Sequence, residues 1–412
     1  MMQMVHSRFN ALLSASVLSL VATVAWSQSI TWLGTLGGWE SVAYGVSADG
    51  SVVVGRATNA AALRRAFRWT ASGGMQDLGT LPGGNRSEAW GVSADGSVVV
   101  GVAYNTEGYI RAFRWTAAEG MQDLGTLGGN WSNAYGVSAD GAVVVGWAIN
   151  AAGPVRAFRW TASGGMQDLG TLGGDGSEAY AVSADGSVVV GWAINAAGQQ
   201  RAFRWTAAGG MQDLGTLGGD WSVASGVSAD GSVVVGWARN AARWTRAFRW
   251  ENGVMQDLGT LGGSLSRAYS VSADGSVVVG WAENAAKVPR AFRWTASGGM
   301  EDLNRTYASL LTNGSVLYEA RAISPDGRYI VGWGNNAATR RSEAYLLDTG
   351  PRCTAHNGDV DANGCVDDAD LLAVMLAFGN SGSNLGRVDV NCDGVVDDAD
   401  LLTVLFNFGS GC

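Results

Sequence analysis

Histidine and cysteine are almost absent from most of this chain. It holds two histidines, His6 and His356, and all four cysteines follow residue 352. Residues 28–349 therefore contain neither residue type. This excludes a Ser-His-Asp triad, a cysteine nucleophile and a His-ligated metal from that region. Only chemistry based on pairs of carboxylates, such as glycoside hydrolysis, remains open there.

Basic residues are scarce at the C-terminal end. Residues 353–412 contain ten Asp, one Arg and no Glu or Lys, a net charge of −9 that equals the net charge of the whole chain. The rest of the chain is therefore close to neutral and has no basic face. We expect neither nucleic acid nor an anionic membrane as a partner.

Long apolar segments are missing beyond the N-terminus. Residues 1–27 are interpreted as a secretory signal peptide, with Arg8 ahead of an apolar stretch and a small-x-small cleavage site at 25–27. The alternative, an uncleaved signal-anchor helix, is disfavoured because the stretch is short. No later segment is expected to span a bilayer. We therefore expect a secreted, extracellular protein without a transmembrane anchor. Its C-terminal region can associate the protein with a cell surface.

One sequence pattern, by contrast, occurs seven times along the chain. An Asp-Gly step marks each copy; the first six steps lie 44 to 46 residues apart and the last gap is 52. The seven aspartates are Asp49, Asp95, Asp140, Asp185, Asp230, Asp274 and Asp326. A period near 45 indicates a repeat architecture.

Each copy predicts four short β-strands. In the third copy they cover residues 134–138, 143–148, 156–160 and 166–170. The Asp-Gly between the first two is a hairpin signal. The second run is apolar on both faces, as in a strand that is packed on both sides. Four antiparallel strands per repeat are typical of a β-propeller blade.

The two ends of the repeat region complement each other. The fourth strand occurs six times, and the seventh copy has only three strands, which end at residue 348. The missing strand matches residues 30–38, Ile-Thr-Trp-Leu-Gly-Thr-Leu-Gly-Gly. We therefore predict an all-β domain over 28–349, a seven-bladed β-propeller closed by its N-terminal strand, with Trp32 near Tyr345. The alternative is an open β-solenoid or sandwich array.

Two motifs carry a resemblance to a known family. They are Ala-Phe-Arg-Trp, as at 157–160, and Gly-Met-Gln-Asp-Leu-Gly-Thr-Leu-Gly-Gly, as at 165–174. Over residues 30–348 the chain resembles the HAF family of extracellular repeats, which implies secretion and a repeat fold but no established chemistry. The His of the family name is replaced by Arg, so no role of that His is carried over. The six arginines are Arg65, Arg111, Arg156, Arg201, Arg246 and Arg290.

The recurring charged and aromatic strand residues are expected to be structural. The fourth-strand aspartates should pair across a hairpin with the second Arg of the third strand. The aspartates are Asp77, Asp123, Asp168, Asp213, Asp257 and Asp302, and the arginines are Arg68, Arg114, Arg159, Arg204, Arg249 and Arg293. Strand tryptophans should pack between blades. They are Trp69, Trp115, Trp147, Trp160, Trp192 and Trp205.

Variation between copies is concentrated in two loop classes. These are the loops between strands two and three and the crossovers to the next copy, and both share one rim of an up-and-down blade. Four aromatic residues are expected on that rim: Tyr109, Trp131, Trp221 and Trp244. They suit contacts with a glycan or a protein. The alternative is that these loops vary because nothing constrains them.

Two copies of a calcium-loop pattern follow residue 348. Twelve-residue loops of this kind place oxygen ligands at positions 1, 3, 5, 7, 9 and 12, with Gly at position 6. The first loop supplies Asp359, Asp361, Asn363, the Cys365 carbonyl, Asp367 and Asp370. The second supplies Asp389, Asn391, Asp393, the Val395 carbonyl, Asp397 and Asp400. We predict two Ca²⁺ ions; the alternative is a solvated acidic tail.

Each loop leads into an apolar helix, predicted at 368–378 and 398–408. This duplicated loop-and-helix unit over 350–412 resembles a type I dockerin, a small α-helical, EF-hand-like module. The resemblance implies calcium-dependent folding and docking onto a cohesin-like domain of a scaffold or cell surface. Carried over by position, the partner-binding residues are Asp368, Ala369, Leu372, Asp398, Ala399 and Leu402.

The four cysteines of this region are Cys353, Cys365, Cys392 and Cys412. An even number in an exported module predicts disulfides, with three possible pairings, and a zinc site is the alternative. Cysteines are not typical of cellulosomal dockerins and resemble a Cys-bearing anchoring variant. In that resemblance the close termini of the module favour Cys353 with Cys412.

The function expected from these features is binding or display by an exported, non-enzymatic propeller that is tethered through its dockerin-like module. A carbohydrate-active enzyme with carboxylate-based catalysis is the first alternative, because dockerins often carry such cargo. A structural matrix protein is the second.

Overall fold

The short apolar runs form antiparallel sheets in the computed structural model. The structure describes residues 28–350, 356–380, 385–391 and 395–412. The predictions that lie outside the described residues are the signal peptide 1–27, the disulfide cysteines Cys353 and Cys392, and the metal ligand Asp393.

Five sheets of four strands each follow one another along the chain, and one further sheet has eight strands. The eight-stranded sheet consists of two four-stranded halves, which a single parallel bridge between Glu40 and Ser342 joins. Each four-stranded unit is called a blade here. With the two halves taken separately, the described residues form seven blades.

The blades are numbered in chain order. Blade 1 comprises β2 Gly37–Val46, β3 Val52–Asn59, β4 Arg64–Thr70 and β5 Gly74–Asp77. Blade 2 comprises β6 Ser87–Val92, β7 Val98–Tyr104, β8 Ile110–Thr116 and β9 Gly120–Asp123. Blade 3 comprises β10 Gly128–Val137, β11 Val143–Asn150, β12 Val155–Thr161 and β13 Gly165–Asp168. Blade 4 comprises β14 Gly173–Val182, β15 Val188–Asn195, β16 Gln200–Thr206 and β17 Gly210–Asp213.

The remaining blades repeat this order. Blade 5 comprises β18 Gly218–Val227, β19 Val233–Asn240, β20 Thr245–Glu251 and β21 Val254–Asp257. Blade 6 comprises β22 Gly262–Val271, β23 Val278–Asn284, β24 Pro289–Thr295 and β25 Gly299–Asp302. Blade 7 comprises β26 Val316–Ile323, β27 Tyr329–Asn336, β28 Arg341–Asp348 and the leading strand β1 Ser29–Trp32. A short helix α1, Leu303–Thr306, and a 3₁₀ turn, Ala308–Leu310, account for the longer last repeat.

The predicted pairing of the leading strand is confirmed. β1 runs antiparallel to β28, with Ser29 opposite Asp348 and Trp32 opposite Tyr345. The Trp32 and Tyr345 rings meet edge to face at 6.2 Å. The first strands of the blades contact one another in chain order, and the series returns from β26 to β2. The blades therefore surround one axis, which is the architecture of a β-propeller.

Hydrogen bonds to a buried serine hold adjacent blades together. In each of these bonds a third-strand Ala N–H donates to the Oγ of a Ser in the first strand of the next blade, at 2.8 to 2.9 Å. The six serines are Ser87, Ser132, Ser177, Ser222, Ser266 and Ser41. The last bond, from Ala344 to Ser41, joins blade 7 to blade 1.

A second set of bonds links the blades nearer the axis. Six backbone N–H groups each donate to the carbonyl of the equivalent residue in the next blade. The donors are Ala48, Ala94, Ala139, Ala184, Ala229 and Ala273, and the last acceptor is the Pro325 carbonyl. Pro325 has no N–H with which to continue the series to Ala48. The axial series therefore stops where blade 7 meets blade 1.

The predicted ion pair between each fourth-strand aspartate and the second Arg of the third strand is wrong. Asp77 lies opposite Phe67, on the same face as Arg65, whereas Arg68 lies opposite Gln76 on the other face. In four blades the ion pair therefore forms with the first Arg of the Arg-Ala-Phe-Arg motif, such as Arg65, at 3.0 to 3.8 Å. The second Arg instead donates to the Gly carbonyl of the next Asp-Gly turn, as Arg204 does to Gly231 at 2.9 Å.

The Asp-Gly turns are closed by hydroxyl groups. The Asp185 carboxylate accepts the Ser183 Oγ–H at 2.6 Å and both the N–H and Oγ–H of Ser187. These bonds, that of Ser183 first, lower the pKa of Asp185 to about 2. The same arrangement lowers the pKa of Asp95 and Asp230 to about 2.

We expect Ser183→Ala to raise the pKa of Asp185 toward its ordinary value of about 3.9. Because the folded-state pKa is lowered, ionised Asp185 stabilises the fold above its unfolded pKa, and this contribution is lost as the pH falls through about 2. Wild type and variant should differ more in unfolding free energy at pH 6 than at pH 2. Ser187→Ala is the comparison and should show a smaller pH-dependent difference, since its backbone N–H still donates, as that of Ala142 does in blade 3. A Ser183→Ala difference that does not vary with pH would contradict the assignment.

The C-terminal module has two helices, α2 Asp368–Ala377 and α3 Asp398–Phe406, with a 3₁₀ turn at Gly386–Val388. Both helices begin at the predicted residue, because Asp367 and Asp397 form capping boxes. They end one and two residues earlier than predicted. Five valines form the core: Val366, Val374, Val390, Val396 and Val404. None of the helices among the described residues is long and apolar enough to cross a bilayer.

A disulfide joins Cys365 to Cys412, with 4.7 Å between the two Cα atoms. The favoured pairing of Cys353 with Cys412 is therefore wrong, and neither Cys365 nor Cys412 is available to zinc. The chain end returns to the first loop because Gly409 N–H donates to the Val366 carbonyl and Val366 N–H to the Ser410 carbonyl. These two bonds place Cys412 beside Cys365.

Candidate functional site

Three predicted ligands of the first acidic loop come together. Carboxylate oxygens of Asp359, Asp361 and Asp370 all lie within 4.8 Å of one another. Asp370 is buried, and its two oxygens accept the backbone N–H groups of Val360, Asp361 and Asp367 at 2.6 to 3.1 Å. The Oδ1 atom of Asp359 is shielded from solvent and accepts no hydrogen bond. A buried carboxylate oxygen without a hydrogen-bond donor fits a metal ligand, so this cluster can hold a metal ion.

The other predicted ligands of this loop make local contacts. Asn363 Oδ1 accepts the Cys365 N–H at 2.7 Å, and Asp367 Oδ1 accepts the Ala369 N–H as the helix cap. Asp367 does not belong to the three-carboxylate cluster. Gly364 has a φ of +92°, which L side chains rarely adopt, as expected for the turn position.

The second loop repeats the framework of the first. Asp400 is buried and accepts the N–H groups of Val390, Asn391 and Asp397 at 2.6 to 3.0 Å. Asp397 caps α3 as Asp367 caps α2. The positions of the Asn391 and Val395 oxygens relative to an ion, and a second ion itself, stay predictions.

All six predicted partner-binding residues are exposed. The sequence analysis missed six further apolar side chains that are exposed near the ends of the two helices: Met375, Leu376, Phe378, Leu405, Phe406 and Phe408. Phe406 is 83% exposed. The sequence did contain a signal for these exposed residues. Each predicted helix has apolar residues on nearly every side, which is more than the small valine core of the module can bury. Such exposed apolar patches mark interaction surfaces.

The variable rim carries exposed tryptophans. Trp131 and Trp244 are exposed, whereas Tyr109 and Trp221 are half-buried, with the Arg239 guanidinium 5.5 Å from the Trp221 ring. Trp39 is 56% exposed in the crossover to blade 1, and the sequence analysis missed it. Bridges such as Leu127 to Asn150 place each crossover beside the loop between strands two and three, so the two variable classes share one rim.

An axial cavity of about 650 Å³ was not predicted. Four tiers of seven residues line it. The first tier, called the belt, comprises Tyr44, Trp90, Tyr135, Tyr180, Ser225, Tyr269 and Arg321. The second tier consists of Gly, Ala and Ser residues, and the third of Val and Ile residues. The fourth tier, beside the Asp-Gly turns, consists of Ala residues and Pro325. Trp237 completes the lining.

A β-bulge directs each belt residue. The ladder between first and second strands slips by one residue at every belt position, for example between Ala134 and Gly136 around Tyr135. A bulge re-aims the side chain of the extra residue. The belt rings consequently touch one another around the axis, with centroids 4.4 Å apart for Tyr44 and Trp90, and 5.0 Å apart for Tyr135 and Tyr180.

The tyrosine hydroxyls of the belt are engaged by second-strand side chains. The indole N–H of Trp147 donates to the Tyr135 hydroxyl at 3.3 Å, and that of Trp192 to the Tyr180 hydroxyl at 3.2 Å. Burial raises the pKa of Tyr135 to about 12. Trp147 and Trp192 thus support the belt, whereas Trp69, Trp115, Trp160 and Trp205 pack between blades as predicted.

Carboxylates lie near the cavity but not in its lining. Of the described residues that line it, none is Asp or Glu. Glu88 precedes belt residue Trp90 by two positions and contacts Arg56 at 3.9 Å and Arg64 at 3.7 Å. Burial raises the pKa of Glu88 and likewise that of Glu178. A pair of carboxylates facing one space, which a glycosidase needs, is not among these lining residues.

The belt was not predicted from the sequence, although a recurring aromatic position in the repeats indicates it. The residue five positions before the Asp of each Asp-Gly step is aromatic in five copies and differs only at Ser225 and Arg321. Periodicity alone does not say which strand of a blade is innermost, nor that a bulge turns this position toward the axis.

Comparison with known proteins shows the fold alone. No family model and no curated protein matches the chain. It is similar to an oligogalacturonate lyase solved in complex with manganese, at 13% identity and a TM-score of 0.51, over 77% of this chain and 92% of the other. It is also similar to TolB from Acinetobacter baumannii, at 12% identity and a TM-score of 0.43, over 77% of this chain. The match spans 66% of that TolB, less than two thirds of its length. A putative TolB from Agrobacterium tumefaciens matches at 14% identity and a TM-score of 0.40, over 75% of this chain and 89% of the other. The likeness to the lyase supports a β-propeller fold for this chain.

Proposed function

We propose that this protein is an exported, closed seven-bladed β-propeller that binds or displays, and that its C-terminal dockerin-like module tethers it. The tether is a calcium-dependent contact with a cohesin-like domain on a scaffold or cell surface. The single observation that carries the proposal is the cluster of Asp359, Asp361 and Asp370, whose buried Asp359 oxygen has no hydrogen-bond donor.

The donor set of this cluster is the kind that calcium prefers, since all its atoms are hard carboxylate oxygens. Bound Ca²⁺ would supply the positive charge that three adjacent carboxylates need. Asp370 positions the loop, because it ties Val360, Asp361 and Asp367 to the first turn of α2. Loop closure and helix position are thus coupled through one side chain.

The docking surface follows from that coupling. α2 and α3 start from equivalent loops, and both present exposed apolar side chains, with Leu372 on one helix and Leu402 on the other. A cohesin-like partner with an apolar face would bury them. The Cys365–Cys412 bond supports an exported location, because disulfides persist in oxidising compartments. The exposed tryptophans of the variable rim support the proposal that this rim is the binding or display face of the propeller.

Capture of the full chain by an immobilised cohesin-like domain tests the proposal. We expect capture in 2 mM calcium and its loss in excess chelator. Replacing Leu372 and Leu402 together by Asp should abolish capture at saturating calcium, because charge would enter an apolar interface. Trp39→Ala, on the propeller rim, is the matched control and should be captured like wild type. Capture that is unchanged by chelation would refute the tether.

A further inference from the structure

The axial cavity is a tube that begins at the belt. Its lining starts at the belt, continues through the Gly/Ala/Ser tier and the Val/Ile tier, and reaches the alanines beside the Asp-Gly turns. The lining includes no residue that precedes a belt residue in the same strand. The belt is therefore the floor of the cavity, and the rim with the invariant turns lies at its other end. This site is separate from both the variable rim and the C-terminal module.

The floor presents ring faces and edges rather than hydroxyl groups. The Tyr44 hydroxyl accepts from Arg56, and the Tyr269 hydroxyl accepts from the Trp281 indole at 2.9 Å. These partners lie in second strands, away from the axis. With Ala, Gly and Val above the floor, the cavity offers few hydrogen-bonding groups to a ligand, which disfavours a sugar and favours an apolar molecule.

The sevenfold pattern is broken in one sector. Ser225 and Arg321 are the two belt residues that are not aromatic, and they flank Tyr269. Beside the small Ser225, the Trp237 ring lines the cavity and meets Tyr269 edge to face at 5.9 Å. In blades 3, 4 and 6 a belt tyrosine accepts from the corresponding indole instead. The two substitutions together open an aromatic recess next to a cation.

Arg321 is the one charged side chain among the described residues that line the cavity. Its guanidinium carbon lies 4.3 Å from the Tyr269 ring centroid and 5.6 Å from that of Tyr44. It forms an ion pair with Glu319 through Nη2 and lines the cavity at the same time. A guanidinium beside an aromatic floor suits an anionic oxygen.

We propose that the axial cavity binds an apolar monocarboxylic acid. The ring or chain of the ligand packs against Tyr269 and Trp237, and its carboxylate accepts hydrogen bonds from Arg321. A cationic ligand is disfavoured by the same arginine, and a neutral apolar molecule offers the Arg321 guanidinium no anionic acceptor.

Calorimetric titration of the full chain tests this with 1-naphthoate, dodecanoate and the neutral 1-naphthylmethanol. We expect an acid to bind at least tenfold more tightly than the alcohol. Naphthoate against dodecanoate distinguishes a ring from a chain, and binding of either supports the proposal. Failure of both acids to bind at millimolar concentration would overturn it, as would equal affinity for acid and alcohol.

Two variants give changes of opposite sign. Ser225→Tyr should weaken acid binding at least tenfold, because a tyrosine there covers Trp237 as in the neighbouring blades, and should leave the melting temperature unchanged or higher. Glu319→Gln should tighten acid binding severalfold by releasing Arg321, with no effect on the alcohol. Replacing Glu319 and Arg321 together by Gln should remove the preference for the acid. A Glu319→Gln protein that folds and binds the acid no better than wild type would contradict the role of Arg321.

Discussion

Trp32→Ala is expected to lower the free energy of unfolding of the propeller by about 3 kcal/mol, at the lower end of the range for buried aromatic truncations. β1 has only four residues and pairs with β28 alone. Trp32 supplies much of its packing, against Tyr345 and the backbone of Gly334. Chemical denaturation followed by far-ultraviolet circular dichroism measures the change.

Trp39→Ala is the matched control, since this tryptophan is 56% exposed. It should change the unfolding free energy by less than about 0.5 kcal/mol. Deleting residues 28–33 should have a larger effect than Trp32→Ala, because the bare edge of β28 then invites pairing with other chains. If Trp32→Ala proved no more destabilising than Trp39→Ala, the leading strand would not be what closes the ring.

Removal of calcium is expected to unfold the C-terminal module while the propeller remains folded. Asp359, Asp361 and Asp370 would then repel one another around an uncompensated buried oxygen. The module has a core of five valines, too small to offset this. We expect chelator to abolish the lower of two calorimetric transitions and to admit protease within residues 356–412.

Asp361→Asn should need at least tenfold more calcium for the same protection, because it removes one ligand charge. Asp368→Asn is the control, as Asp368 is exposed and outside the cluster. The samples must stay oxidised, since the Cys365–Cys412 bond otherwise contributes to the difference. A module that melts identically with and without chelator would count against a calcium role for the loops.

Much of the fold could be predicted from the sequence because the repeats make local signals redundant. Asp-Gly hairpins and apolar runs recur in every copy, and the leftover strand at 30–38 had a matching gap near 348. Pairings that depend on register were harder. Asp77 and Arg68 looked like partners in sequence, but a strand alternates its faces, and the true partner Arg65 lies three residues earlier.

The candidate sites were predictable to different degrees. The acidic loops follow a fixed ligand spacing, so the clustering of Asp359, Asp361 and Asp370 could be predicted from the sequence. The Cys365–Cys412 bond was not, because four cysteines allow three pairings and spacing does not choose between them. The belt depends on which strand is innermost and on a bulge, and neither leaves a periodic trace in one sequence.

Pro325 gives the ring a seam. Six junctions between blades share an axial backbone hydrogen bond, and the seventh, between the last blade and the first, lacks it. Beside this junction, the first and last strands of the propeller pair within blade 7, with Ser29 opposite Asp348. A tether pulled from residue 350 would load β28, the strand that holds the seam shut. Mechanical load on the anchored protein would therefore act first on blade 7, beside the one junction that lacks the axial bond.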